Sequence, residues 1–474
     1  MDFETYVSYD ALGLADLVQR REVSPDELLD AALARTAAVN PAANAVQFPR
    51  EAKARAEIAA GLPAGPFQGV PWLVKDLYAD VAGEPMTNGS RLWKDNVCTI
   101  DSELVQRYRR AGLVIFGRTA SPELGLTPNT ENRVYGSTHN PWKLTHSAGG
   151  SSGGASAAVA AGIIPAAHAT DGGGSIRIPA TCCGLFGLKP TRGRVPMGPL
   201  AGEGWGGMSA AHAVTRSVRD SAALLDATAG PDLGAPYWAQ PPLRPFLDEV
   251  GAATGRLRVA FMNHSWLDVD IDPDCLAAVD DAARLCRELG HEVEEAAPVF
   301  DTEALGAATG VVIGTNIAAT LNARAAELGI EIGPEDIEAQ TEAMRGFGGH
   351  MTGERYVGAI RTIHATGRAL ARFMERYDVL LTPTMACVPF ELGRLSLSRT
   401  DGNGYATDVR RAIAFTSLFN ATGQPAMSVP LFWNAGNLPV GVQFAGRYGD
   451  EATLFRLAAQ LEEARPWFNR RPPL

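Results

Sequence analysis

The sequence predicts an α/β fold, a central mixed, largely parallel twisted sheet covered by helices on both faces. Two observations point there. Short apolar runs of strand length alternate with helical segments: Asp101 to Ala111 precedes Leu113 to Gly117, and Ala155 to Ala161 precedes Ile163 to Ala167. With 474 residues, 46% hydrophobic and 20% charged, the chain is long enough for one large α/β unit with insertions.

Ser24-Pro25-Asp26-Glu27 is a capping box with proline at the first helical position, and its helix runs to about Val39, where Asn40-Pro41 stops it. Val70 to Val74 is an apolar strand leading to Lys75. Leu104, Val105 and Tyr108 make one face of the helix at 101–111, which Gly112 ends. Residues 121–132 connect this unit to a glycine-serine loop. Pro196 to Gly207 is rich in Gly and Pro and holds Trp205, a surface loop or a pocket wall. A helix opens at Thr215 to Asp220. The proline-rich stretch 230–254 marks a subdomain boundary, followed by a strand at 256–262 and a helix at 274–289. Residues 300–370 read as mainly helical, 377–384 and 419–443 as core strands and turns, and 451–463 as a closing helix.

The chemistry concentrates between Gly149 and Thr191. Gly149-Gly150-Ser151-Ser152-Gly153-Gly154 has almost no side-chain bulk, so its amides and two hydroxyls are expected to face a ligand at a helix N-terminus. Asp171-Gly172-Gly173-Gly174-Ser175 places successive amides before a serine, the arrangement an oxyanion needs. A serine needs a base, and a lysine serves as one only when desolvation lowers its pKa. Lys75, at the end of its apolar strand, meets that condition. Singly, each feature has a plainer reading: a linker, a packing helix, a solvated strand end. Asp171 and Arg177 read as an ion pair that braces the loop.

Together and in this order they resemble the amidase signature family, in which a Gly-Gly-Ser-Ser-Gly-Gly loop precedes the nucleophile in Asp-x-Gly-Gly-Ser-Ile-Arg; Ser151 and Ser175 stand 24 residues apart as that pattern requires. The resemblance implies a Ser, cis-Ser, Lys triad with Ser175 as nucleophile, Ser151 as the bridging serine and Lys75 as base. The oxyanion would be held by Gly172, Gly173 and Gly174 with the Ser175 amide, and substrate contacts would come from Leu126, Thr127, Ser152 and Trp205. No cofactor and no metal is implied. One amidase domain spans 1–474, with the catalytic core at 65–230, a variable, mainly helical specificity region at 231–370 and a C-terminal part at 371–474 that completes the sheet.

Asn140-Pro141-Trp142 and the turn Thr191 to Arg194 make the chain similar to bacterial stand-alone amidases of the nylon-oligomer hydrolase, aryl acylamidase and urethanase type. The expected substrate is a small or xenobiotic amide, with carbamates and esters as extensions. The alternative is the catalytic subunit of a tRNA-dependent glutamine amidotransferase; Gly206 to His212 departs from the Ser-x-Asp-x-x-Gly stretch of that group. Gly149 to Gly153 also fits the α/β-hydrolase nucleophile elbow, but the last histidine is His364, far from the C-terminus where that triad ends. No Gly-Lys-Ser or Gly-Lys-Thr follows the loop, which makes a phosphate-binding loop a weaker reading still. A net charge of −11 without a basic cluster argues against nucleic acid or an anionic membrane as partner. No apolar run long enough to span a bilayer and no signal peptide are read, so a cytoplasmic monomer or homodimer is expected. The six cysteines lack paired spacing and read as reduced, packed thiols.

Overall fold

A computed structural model describes residues 1–474. The strands are β1 (Val46–Gln47), β2 (Pro71–Lys75), β3 (Val114–Thr119), β4 (Glu131–Asn132), β5 (Gly136–Ser137), β6 (His139–Asn140), β7 (Lys143–Ser147) and β8 (Ala166–Asp171). They continue as β9 (Phe186–Lys189), β10 (Ala210–Thr215), β11 (Arg258–Phe261), β12 (Glu292–Glu295), β13 (Val379–Pro383), β14 (Ala426–Trp433) and β15 (Pro439–Gly446). Eight of them form one sheet in the order β12-β11-β13-β15-β14-β9-β10-β8, and β1-β3-β2 form a second. Every residue of β13 and β15 is buried, so the middle of the large sheet is covered on both faces.

The α/β architecture with a mixed sheet is the one expected, but the sheet is not largely parallel. Only β12-β11 and β11-β13 pair in parallel. The other five pairings are antiparallel. Connection length explains the difference. Parallel neighbours need a crossover, which helix Pro273–Glu288 supplies between β11 and β12. The few residues between Trp433 and Pro439 can only fold β14 back along β15.

The capping box at Ser24 forms as expected, yet its helix runs through Pro41 to Ala43. The side chain of Asn40 stops it by accepting the amides of Ala45 and Val46 at 2.8 Å, while Asn44 turns left-handed at φ 47°. The strand expected at 163–167 begins at Ala166, because Gly162 ends the preceding helix at φ 76° and Ile163 and Ile164 fill the core beneath the turn.

Residues 300–370 form helices Thr302–Leu328, Ala339–Gly349 and Gly353–Met374. The first corrects the membrane reading of the sequence: an 18-residue window in it has mean hydropathy 1.5, enough by length and composition to cross a bilayer. In the fold Leu305, Val312, Ile317 and Leu321 are buried against the protein's own core, and 39% of the window as a whole is buried.

Candidate active site

β2 carries Lys75 into the interior, where the side chain is fully buried. Its Nζ lies 2.7 Å from Ser151 Oγ, 3.0 Å from Ser152 Oγ and 2.9 Å from Thr170 Oγ1. Burial lowers its pKa to about 7 against the opposing charge of Asp171. Hydrogen-bond accounting then orients the amine. Ser152 Oγ donates to the Thr170 carbonyl at 3.1 Å and accepts the Thr170 amide at 3.2 Å, so its proton is committed. A neutral amine has two N–H groups and one lone pair. With Ser152 accepting one N–H, the second N–H and the lone pair are left to Ser151 and Thr170, whose hydroxyls can each accept or donate.

The main chain of Lys75 is fixed from the same strand. Its N–H donates to His168 Nδ1 at 3.1 Å. His168 is fully buried, and burial with the nearby charges of Lys75 and Arg118 lowers its pKa to about 3, so the ring is neutral with its proton on Nε2. Its Nε2 meets no partner, and the ring centroid lies 5.9 Å from that of Tyr108. His168 and Thr170 are two residues apart on β8 and share a face. One strand therefore holds the lysine at both ends.

The Gly150–Ser151 peptide is cis. The glycines around the double serine serve close packing rather than exposure to a ligand, which corrects the expectation from the sequence. A Cβ on Gly150 would lie 2.1 Å from Asn129 O, and one on Gly154 would lie 2.4 Å from the amide nitrogen of Ala120. The two hydroxyls alone point at chemistry, and both reach Lys75.

β8 ends at Asp171, and the turn Gly172 to Ser175 leads into helix Arg177–Cys183. Asp171 braces the turn as expected. It accepts the Gly174 amide at 2.7 Å, the Ile176 amide at 3.1 Å and Arg177 Nε and Nη2 at 2.9 Å each. Burial would raise its pKa, but the guanidinium of Arg177 and its hydrogen bonds outweigh that and hold the carboxyl well below the usual range. Asn420 donates to Asp171 Oδ1 at 2.8 Å, Gln443 accepts from Arg177 at 2.6 Å, and the Thr416 hydroxyl donates to Gly173 O at 2.6 Å.

This bracing removes one expected oxyanion donor. The Gly174 N–H is spent on Asp171. The amides of Gly172, Gly173 and Ser175 have no such partner, and a Cβ on Gly173 would meet nothing within 4 Å, so this glycine borders open space. Ser175 is partly exposed, and no hydrogen bond links it to Ser151. Lys75 and Ser151 are thus joined, whereas Ser175 stands free at the open side of the turn.

Of the four expected substrate contacts, Trp205 lies beside the glycine turn: a Cβ on Gly172 would lie 2.7 Å from its ring. Ser152 belongs to the lysine instead. Thr127 turns its hydroxyl to Leu395 O at 2.8 Å, and Leu126 is buried in the main core. Gly125 faces Ser151 instead, its Cβ position 3.2 Å from the serine Oγ. His168, Thr170 and Thr416 escaped the sequence reading; His168 alone left a signal, a lone polar side chain within an apolar run. All six cysteines are free thiols, and Cys182 lies 3.8 Å from Met385 Sδ as packing.

The chain matches the Amidase family over residues 27–455. It is 39% identical over 481 aligned residues to 6-aminohexanoate-cyclic-dimer hydrolase of Paenarthrobacter ureafaciens, covering 98% of this chain and 96% of that protein. To the acylamidase of Rhodococcus erythropolis it is 38% identical, with 98% and 96% covered. The solved structure of 6-aminohexanoate cyclic dimer hydrolase superimposes with a TM-score of 0.93 at 38% identity, covering 98% of this chain and 99% of the other. The chain belongs to the amidase signature family and hydrolyses amide C–N bonds.

Proposed function

We propose that Ser175 is the nucleophile, Ser151 the proton relay and Lys75 the base, and that the substrates are small or xenobiotic aryl and alkyl amides, with carbamates and esters as extensions. The observation that carries this reading is the buried amine of Lys75 set among three hydroxyls, with Ser151 the nearest at 2.7 Å. Ser175 Oγ attacks the carbonyl carbon while its proton passes through Ser151 to Lys75. The amides of Gly172, Gly173 and Ser175 hold the oxyanion. The proton then returns through Ser151 to the leaving nitrogen, the C–N bond breaks, and an acyl-Ser175 remains. Water repeats the path, releasing the carboxylate and restoring the serine. In such a site, loss of one oxyanion donor costs about 100- to 1000-fold in turnover.

The core at 65–230 and the C-terminal part at 371–474 carry the chemistry in this reading, and 231–370 selects the substrate. The enzyme acts as a cytoplasmic monomer or homodimer without nucleic acid or membrane. Its departure from the amidotransferase pattern at Gly206 to His212 and its likeness to proteins named as hydrolase and acylamidase favour a stand-alone enzyme. The test is hydrolysis of a chromogenic acyl anilide and a matched aryl carbamate by the parent, Ser175→Ala and Lys75→Met. Turnover in the parent should fall at least about 10⁴-fold in both variants. A parent that is inert until partner chains and glutamine are added would instead establish the amidotransferase.

A further inference from the structure

Ser209 stands one step beyond the last pair of β8 and β10, Asp171 with Ala210, and so falls opposite Gly172. The packing agrees with that register: a Cβ on Gly172 would lie 3.3 Å from Ser209 Oγ and 2.7 Å from the Trp205 ring. Opposite residues of a ladder share a face of the sheet. That face also carries His168 and Thr170, the two side chains of β8 that hold Lys75.

The Ser209 amide donates to Gly204 O at 3.1 Å and so closes the short loop that presents Trp205. Its hydroxyl has no hydrogen-bond partner in the chain, and the residue is partly exposed. A serine hydroxyl both donates and accepts, so a free one beside the oxyanion turn can take either kind of polar atom from a bound molecule.

The two edges of β8 assign the parts of that molecule. Ser152 takes up both the amide and the carbonyl of Thr170, which places the double serine along the edge away from β10. Ser209 lies across the other edge, on the β10 side. On the reading of Ser175 and Ser151 proposed above, on which this inference rests, the leaving nitrogen sits toward Ser151 to receive its proton. The acyl group is then turned toward β10. Gly172 offers its amide to the oxyanion in the same reading, so a hydroxyl touching that glycine is within reach of the atoms next to the carbonyl. We propose that Ser209 is a specificity-determining residue whose hydroxyl bonds a polar substituent on the acyl carbon next to the carbonyl, favouring amides of hydroxy-substituted acids over those of plain alkyl acids.

Glycolanilide and propionanilide differ only by a hydroxyl in place of a methyl, and kcat/KM for both in the parent, Ser209→Ala and Ser209→Cys tests this. The glycolanilide-to-propionanilide ratio should fall about fivefold in Ser209→Ala, the scale of one lost hydrogen bond. Ser209→Cys, whose thiol is a weak donor and acceptor, should give a similar fall and covers the case in which Ser209→Ala does not fold. Each ratio is internal to one protein, so a general loss of activity cancels. An unchanged ratio in the variants, including an equal fall on both anilides, overturns the proposal, and cleavage of both by the parent then leaves the amidase reading intact. A parent inert on both overturns that reading and this inference with it.

Discussion

A lysine can take a serine proton near neutral pH only if its charged form is made costly, and at Lys75 burial does this against the attraction of Asp171. As the proposed base it must be neutral, so kcat/KM should fall as pH drops through a value of about 7, and a pH profile checks it. An acid limb centred near the ordinary lysine value would contradict the burial argument. Stability carries the same signature. Between pH of about 7 and the unfolded lysine value, the unfolded chain holds a proton that folded Lys75 has lost, so this residue's contribution improves as pH rises. Lys75→Met removes the effect, and its melting temperature relative to the parent should therefore be highest at pH 6 and decline toward pH 9. His168 acts through the lysine's main chain. His168→Leu leaves the Lys75 amide unpaired and should lower kcat by about 100-fold, the scale of a 1 Å misplacement. His168→Asn keeps an acceptor and should recover much of that loss, whereas a purely structural role would show as reduced stability in both variants.

At the scale of elements, local signals were legible and distant pairings were not. Capping boxes, glycine stops and apolar runs act within a few residues, and they marked the Ser24 helix and the Lys75 strand. Strand direction depends on connection length and on neighbours hundreds of residues away, so a run such as Val379–Pro383 reads the same whether its partner is parallel or antiparallel. The turn from Gly172 to Ser175 shows the same division. Its motif is visible in the sequence, but the cost of the Asp171 brace is not: the same carboxylate that shapes the turn withdraws the Gly174 amide from it. Thr416, Asn420 and Gln443 complete the brace from the opposite end of the chain. Arg177→Met would strand a buried Asp171 and should cost about 3–5 kcal/mol, measurable by denaturant unfolding. Loss of activity without loss of stability would place Arg177 in the chemistry instead.

Across the whole molecule, the proposed catalytic groups arrive on separate scaffolds. Lys75 comes from the three-stranded sheet, while Ser151 and Ser175 flank the edge strand of the eight-stranded sheet. One loop links the helices of 300–370 to this centre. Trp205 rests on Gly172, and the next residue, Gly206, lies against Val312, Tyr356 and Ile360; its Cβ position is 3.0–3.4 Å from their side chains. Trp205 itself adopts φ 50°, a left-handed conformation that this packing holds in place. An aromatic wall fixed between the oxyanion turn and the helical region should discriminate by size. In Trp205→Ala, kcat/KM for a bulky acyl anilide relative to acetanilide should rise by about tenfold, the value of one or two methylenes of pocket space. The acid limb near pH 7 should not move, because Lys75 keeps all its neighbours. A uniform fall in kcat for both substrates would show that the ring holds the glycine turn in shape and does not border the substrate, and the search for specificity would then move to Tyr356 and Ile360.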